Sequence, residues 1–174
     1  MDSRLLTKLH MKKIYLSNIL WLSLLPGFSQ PQKATAPAPL VYGAPISFSQ
    51  AEKIMAAAIQ EATRNSWTMA IAIVDTGGNL VAFQRMDNTQ IGSVEVAIGK
   101  ARTANNFKRP SKAFEDQVAN GGIGLKILSL PGVVPVEGGE PILFQGKIIG
   151  GIGASGMSSS QDDQVAKAGL NALN

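Results

Sequence analysis

Ala72-Ile73-Val74-Asp75-Thr76-Gly77-Gly78-Asn79-Leu80-Val81-Ala82-Phe83-Gln84-Arg85 is the stretch on which the architecture turns. Met69 to Asp75 is rich in Ile and Val and reads as a strand. Thr76-Gly77-Gly78-Asn79 follows at once, and glycines supply the positive φ of a tight reversal. Leu80 to Met86 is then the returning strand, so the segment predicts an antiparallel hairpin.

The flanks of this hairpin are helical. Ser47 to about Asn65 places Ala51, Ile54, Met55, Ala58, Ile59 and Ala62 at helical spacing on one face. Glu52, Lys53, Gln60, Glu61 and Arg64 take the other face. Ser47 and Gln50 have the spacing of a capping box, with Ile46 placed as a staple. Downstream, Ser93 to about Phe107 predicts a second long helix with Val94, Ala97, Ile98, Ala101 and Ala104 inward. A shorter helix runs from Pro110-Ser111 through Ala119 and stops at Gly121-Gly122. Leu125 to Leu130 fits a strand or a helical turn equally.

Beyond that point the pattern becomes β. Val133 to Val136 predicts a short strand and Gly138-Gly139-Glu140-Pro141 a turn. Ile142 to Phe144 and Ile148 to Ala154 predict a hairpin about Gln145-Gly146-Lys147. Ser159 to Leu173 reads as a closing helix, with Val165, Ala166, Gly169, Leu170 and Leu173 inward. The order α-β-β-α-α-β-β-β-α, with hairpins at both ends, predicts an α+β domain on a largely antiparallel sheet.

The N-terminus carries a different message. Met11-Lys12-Lys13 is a short basic start, Ile14 to Leu25 is mostly apolar, and Gly27 and Ser29 are small residues at cleavage-site spacing. That is the order of a secretory signal, and the apolar run falls short of the roughly 20 residues of a membrane span. The expected division is a signal peptide over 1–29 with its start at Met11, a Pro/Ala-rich linker over 30–45, and one domain over 46–174. The mature protein is then periplasmic or secreted, with no membrane attachment after signal removal.

Charge supports this division. The chain has 174 residues and a net charge of +4. Residues 1–40 supply that excess through Arg4, Lys8, Lys12, Lys13 and Lys33 against Asp2. The remainder is balanced, so the domain has no surplus of cations to track nucleic-acid phosphates. The absence of cysteine excludes disulfides, thiolate metal sites and a Cys nucleophile. His10 is the only histidine, and it precedes the expected start.

Four motifs then stand in a telling order. They are Ala72 to Leu80 followed by Arg85-Met86-Asp87; Lys100-Ala101-Arg102-Thr103-Ala104; Gly138 to Ile142 with Ile149-Gly150-Gly151-Ile152-Gly153-Ala154-Ser155-Gly156; and Asp162-Asp163-Gln164-Val165-Ala166. Together they resemble the GlcG/HbpS family of haem-associated domains, over about Ile46 to Leu173. The resemblance implies a profilin-like layered fold with a five-stranded antiparallel sheet flanked by helices. It also implies homo-oligomers, octamers in some members, and haem binding or haem degradation in some members.

The candidate ligand-binding residues are Asp75, Arg85, Asp87, Lys100, Thr103, Gly139 and Ser155. Asp75 fits a pocket mouth or an Asx-type turn. Arg85 and Asp87 lie on one face and fit a salt bridge or an Arg grip on a ligand carboxylate. Lys100 and Thr103, at i and i+3, fit an anion-receptive ridge with Arg102 and Asn106, or a solvated face. Gly139 fits a backbone approach to an anion or a plain turn. Gly150, Gly151 and Gly153 within one strand mark a close approach, to a ligand or to a neighbouring subunit. Ser155 has no mature His to activate it.

Haem ligation usually comes from His, Cys, Met or Tyr. In the mature chain only Tyr42, Met55, Met69, Met86 and Met157 remain, so any bound haem is expected to have weak or unconventional ligation, with its propionates on Arg85, Lys100 or Arg102. No metal site is expected. The reading is an exported small-ligand-binding protein of this type, with haem as the possible cofactor. The alternatives are an oligomeric accessory protein without catalysis, or an enzyme acting on a small organic acid.

Overall fold

The computed structural model describes residues 39–173. The expected signal peptide and most of the linker lie outside the described residues. Helix α1 spans Phe48–Arg64, and its capping box forms: the Gln50 N–H donates to Ser47 Oγ (3.3 Å), and the Ser47 N–H donates to Gln50 Oε1 (3.0 Å). Strands β2 (Ala70–Asp75) and β3 (Leu80–Arg85) form the expected hairpin. Helices α2 (Ser93–Phe107) and α3 (Lys112–Ala119) follow. A 3-10 helix covers Gly122–Ser129, which settles the ambiguous Leu125–Leu130 run as helical turns. Strands β4 (Gly139–Phe144) and β5 (Lys147–Ser155) join through Gln145 and Gly146, both at positive φ as a two-residue hairpin loop requires. Helix α4 spans Ser159–Leu170.

Among the described residues the sheet has five strands, and it is mixed rather than purely antiparallel. Strands β4, β5, β2 and β3 run side by side, antiparallel at each pairing. The fifth strand, β1, is Val41–Tyr42, which pairs in parallel with Lys147 and Ile148 at the start of β5. The pairing continues as the Gly43 N–H donates to Ile148 O (2.7 Å). The sheet therefore begins inside the segment read as linker. Conversely, residues 133–136 are not a strand. The Val134 N–H donates to Thr103 Oγ1 (2.9 Å), and Ser111 Oγ donates to Val136 O (2.6 Å). Side chains of the helical region thus occupy backbone groups that a ladder would need. Gly139 to Pro141, read as a turn, are the first residues of β4.

Alternation along β2 builds two cores. Ile71 and Ile73 join Ile54, Ala58, Ile152 and Val165 in the layer of α1 and α4. Ala70, Ala72 and Val74 face Ala97 and Ala101 of α2 on the opposite side. The second layer uses small residues, so α2 lies almost against the sheet. A Cβ on Gly151 would collide with Ala101 O, and one on Gly153 with Ala97 O and the Ala101 nitrogen. The close approach predicted by these glycines is real. For Gly151 and Gly153 its partner is helix α2, and for Gly150 it is the Val74 carbonyl of the neighbouring strand β2, so in each case the approach is within the same chain.

Candidate functional site

The tight seat of α2 decides the fate of several expected site residues. Lys100 points inward with a side chain 1% exposed. Its Nζ lies 2.7 Å from Asp162 Oδ2 and donates to Ala154 O at 3.1 Å. Asp162, at the start of α4, also accepts the Met157 N–H on Oδ1 (3.0 Å). Burial pushes the Asp162 carboxyl above its ordinary range, opposed by its bond to Lys100. Gly138, at φ +112°, brings the chain over this pair, where a Cβ would stand 2.7 Å from Asp162 Cβ and 3.1 Å from Lys100 Nζ. The arrangement ties α2, β5 and α4 together and offers no open anion seat.

Its neighbours are equally committed. Thr103 is buried, donates to Gly99 O (2.8 Å) and accepts from Val134. Gly139 donates its N–H to Ser111 Oγ (2.8 Å) and packs against the backbone of Lys100. Ser155 is buried and donates to Ser93 Oγ at 3.1 Å. The ridge expected on α2 does not form: Lys100 and Thr103 are inside, while Arg102 and Asn106 remain outside. A single helix cannot show which of its faces a glycine-paved sheet will draw in.

Asp75 makes the Asx-type turn. Its Oδ1 accepts the N–H groups of Gly77 (2.8 Å) and Asn79 (2.9 Å). Partial burial pushes its carboxyl up, and the bonds from Asn79 and Gly77 outweigh this, leaving it below the ordinary range. Arg85 and Asp87 are exposed, and neither joins an ion pair among the described residues. Arg85 thus shares no cleft rim with the buried Lys100. Of the haem-ligand candidates, Met55 and Met69 are buried core residues. Tyr42 donates its hydroxyl to Asn105 O at 2.8 Å.

A cleft does exist, in another place. It lies along the outer edge of β4, with a volume of about 390 Å³. Ile142, Leu143 and Leu40 give it apolar walls, while Lys108, Arg109 and Glu140 supply charge. Lys108 ends α2 in the left-handed conformation, at φ 56°. Its Nζ donates to Leu40 O (3.0 Å) and stands 4.5 Å from the centre of the Tyr42 ring. Arg109 donates from Nε to Phe107 O (3.2 Å), and its guanidinium lies 5.3 Å from the centre of the Phe114 ring. Aromatic faces hold both cations, and neither pairs with a carboxylate among the described residues. Two adjacent unpaired cations beside an apolar floor suit an anion with an apolar body.

Glu140 sits in the cleft wall and is only 7% exposed. Burial, reinforced by the Asp163 carboxyl and opposed by Lys167, pushes it up to about 7. Sequence reasoning missed Lys108, Arg109 and Glu140. Glu140 was read within the Gly138-Gly139-Glu140-Pro141 turn and the motif it belongs to, and Lys108 and Arg109, between the two predicted helices, were given no role. The fit of haem to the cleft is divided. The walls and cations suit a porphyrin edge and its propionates. None of the lining residues is a conventional iron ligand, so the cleft does not account for axial coordination. Among the described residues no group of three His, Cys, Asp or Glu is placed to hold a metal ion.

Comparison with known proteins agrees with the fold. Protein GlcG of Escherichia coli K12 is 39% identical over 110 residues, covering 63% of this chain and 81% of GlcG. The solved structure of a double mutant of Streptomyces reticuli HbpS superposes with a TM-score of 0.70 at 28% identity, covering 83% of this chain and 99% of that one. The PduOC:haem complex gives a TM-score of 0.69 at 31% identity, covering 75% of this chain and 96% of that one. The family model described as haem degrading protein HbpS-like matches residues 46–171, and with that span the chain belongs to the HbpS-like family.

Proposed function

We propose that this is an exported small-ligand-binding protein whose cleft beside β4 takes an amphiphilic carboxylate, with haem, held by its propionates, as the first candidate. The observation that carries the reading is the unpaired Lys108–Arg109 couple over an apolar wall. A relative solved as a haem complex supports the choice of haem. The expected signal peptide supports a periplasmic or secreted setting, and the family resemblance supports a homo-oligomer.

Titration with hemin tests the ligand. A Soret band saturating at fixed stoichiometry is expected, weakened about tenfold or more in K108A/R109A, which removes two charge-assisted contacts. Haem dimethyl ester, which lacks free carboxylates, is expected to bind poorly. Absorbance that never saturates, or equal affinity for the ester, would refute the reading.

A further inference from the structure

The cleft wall contains a carboxyl group for which anion binding alone has no use. Glu140 faces the cleft, and behind it on α4 lies Asp163, also buried. Asp163 Oδ2 is held by Lys167 Nζ at 2.6 Å. Its other oxygen, Oδ1, is buried with no hydrogen-bond partner among the described residues. A buried acceptor without a donor is costly, and natural structures rarely leave one so. Lys167 Nζ is 3.8 Å from Glu140 Oε1, too far for a normal hydrogen bond, so the ammonium chiefly serves Asp163. The donor at hand is Glu140, which approaches the same Lys167 ammonium and lies in hydrogen-bonding contact with the Asp163 carboxyl, because a carboxylic acid donates where a carboxylate only accepts.

The surrounding charges favour that assignment. Glu137, before β4, adds a further negative charge near Glu140. Glu61 of α1 accepts from Gln164 Nε2 on α4 (2.7 Å), adding a carboxylate beyond Asp163. Lys100 and Asp162 neutralise each other. Lys108 and Arg109 line the cleft with Glu140, and Lys167 opposes the like charges from α4. Two buried carboxyl groups sharing one ammonium do not readily both ionise.

Resting on the cleft reading above, we infer that Glu140 is a proton-operated gate: as the acid it donates to Asp163 and leaves Lys108 and Arg109 free for an anion, and as the carboxylate it opposes that anion. The ligand class is thereby narrowed to amphiphilic anions taken up in mildly acidic surroundings and released in alkaline ones. The described residues contain no histidine, so no other described side chain has its ordinary titration between pH 6 and 8.

The probe is 8-anilinonaphthalene-1-sulfonate, whose sulfonate stays ionised across this range, with binding read by fluorescence on the full chain. Affinity is expected to fall about threefold to tenfold from pH 6 to pH 8.5, the scale of one screened like charge near the ligand. In E140Q, which keeps the side-chain shape, it is expected to stay flat. Carbon-13 NMR of the wild-type Glu140 carboxyl is expected to show an inflection near neutrality. Binding lost in K108A/R109A but independent of pH in the wild type overturns the gate and spares the cleft. Binding that survives K108A/R109A overturns both. A pH dependence that persists in E140Q, or a Glu140 inflection in the ordinary carboxylate range, also overturns the gate.

Discussion

Removing the Lys100 ammonium would strand Asp162 in the interior without its counter-charge. Cutting one partner from a buried pair costs about 3–5 kcal/mol, whereas replacing both with apolar residues of similar volume is often close to neutral. K100A is therefore expected to lower the urea midpoint strongly, and K100M/D162L to recover much of the loss. A K100A midpoint equal to wild type would remove the pair from the structural account. The same residue shows what a sequence discloses. Lys100 and Thr103 do share a helix face, as their spacing requires. That this face turns inward depends on Gly138, Gly139 and Gly153, far away in the chain, which clear the space around it. Glu61 was misplaced for the same reason, because its partner Gln164 belongs to α4. Asp75 was readable because all its partners lie within four residues.

Elements carry the next set of consequences. The seat of α2 on β5 depends on strand glycines whose added methyl would meet main-chain atoms, which cannot swing aside as a long side chain does. Gly153→Ala is expected to cost about 1–3 kcal/mol, the usual range for overpacking, and to lower Tm measurably. Gly146→Ala, at φ 74° in an open hairpin loop, meets nothing within 4 Å, so its penalty is conformational only and is expected to be about 1 kcal/mol. Equal penalties at the two positions would contradict the packing account. Both hairpins and α1 were legible because caps, turns and periodicity are local. Val133 to Val136 looked like a strand because apolar β-branched residues suit one, yet Thr103 and Ser111 claim its backbone. Val41–Tyr42 went unrecognised because a two-residue parallel strand has no periodicity to display.

At the scale of the whole molecule, the buried carboxyl pair ties stability to pH. Glu140 is raised on folding to about 7, so the folded state holds its proton more tightly than the unfolded chain does. The resulting stability is fully present below the unfolded value near 4.5 and is lost as pH rises towards about 7. Urea midpoints are expected to fall between pH 5 and pH 8 in the wild type and to change little in E140Q; parallel profiles would contradict the assignment. Export and assembly are also tested on the intact protein. Expressed with its own N-terminus, the chain is expected to leave the cytoplasm with the mass of a product cleaved after Ser29. Light scattering is expected to give a multiple of the protomer mass.

The two flanks of the sheet are unequal, which bears on misassembly. On β4, both backbone groups of Gly139 are bonded to Ser111, and Pro141 has no N–H to offer two residues on. A foreign strand seeking to extend the ladder there would find its first two anchor points occupied or missing. The flank formed by β3 has no such proline, since Leu80 to Arg85 each keep a main-chain donor. If partly unfolded copies ever recruit one another by strand addition, growth should start from β3, and a proline placed there at an outward-facing position should slow fibril seeding.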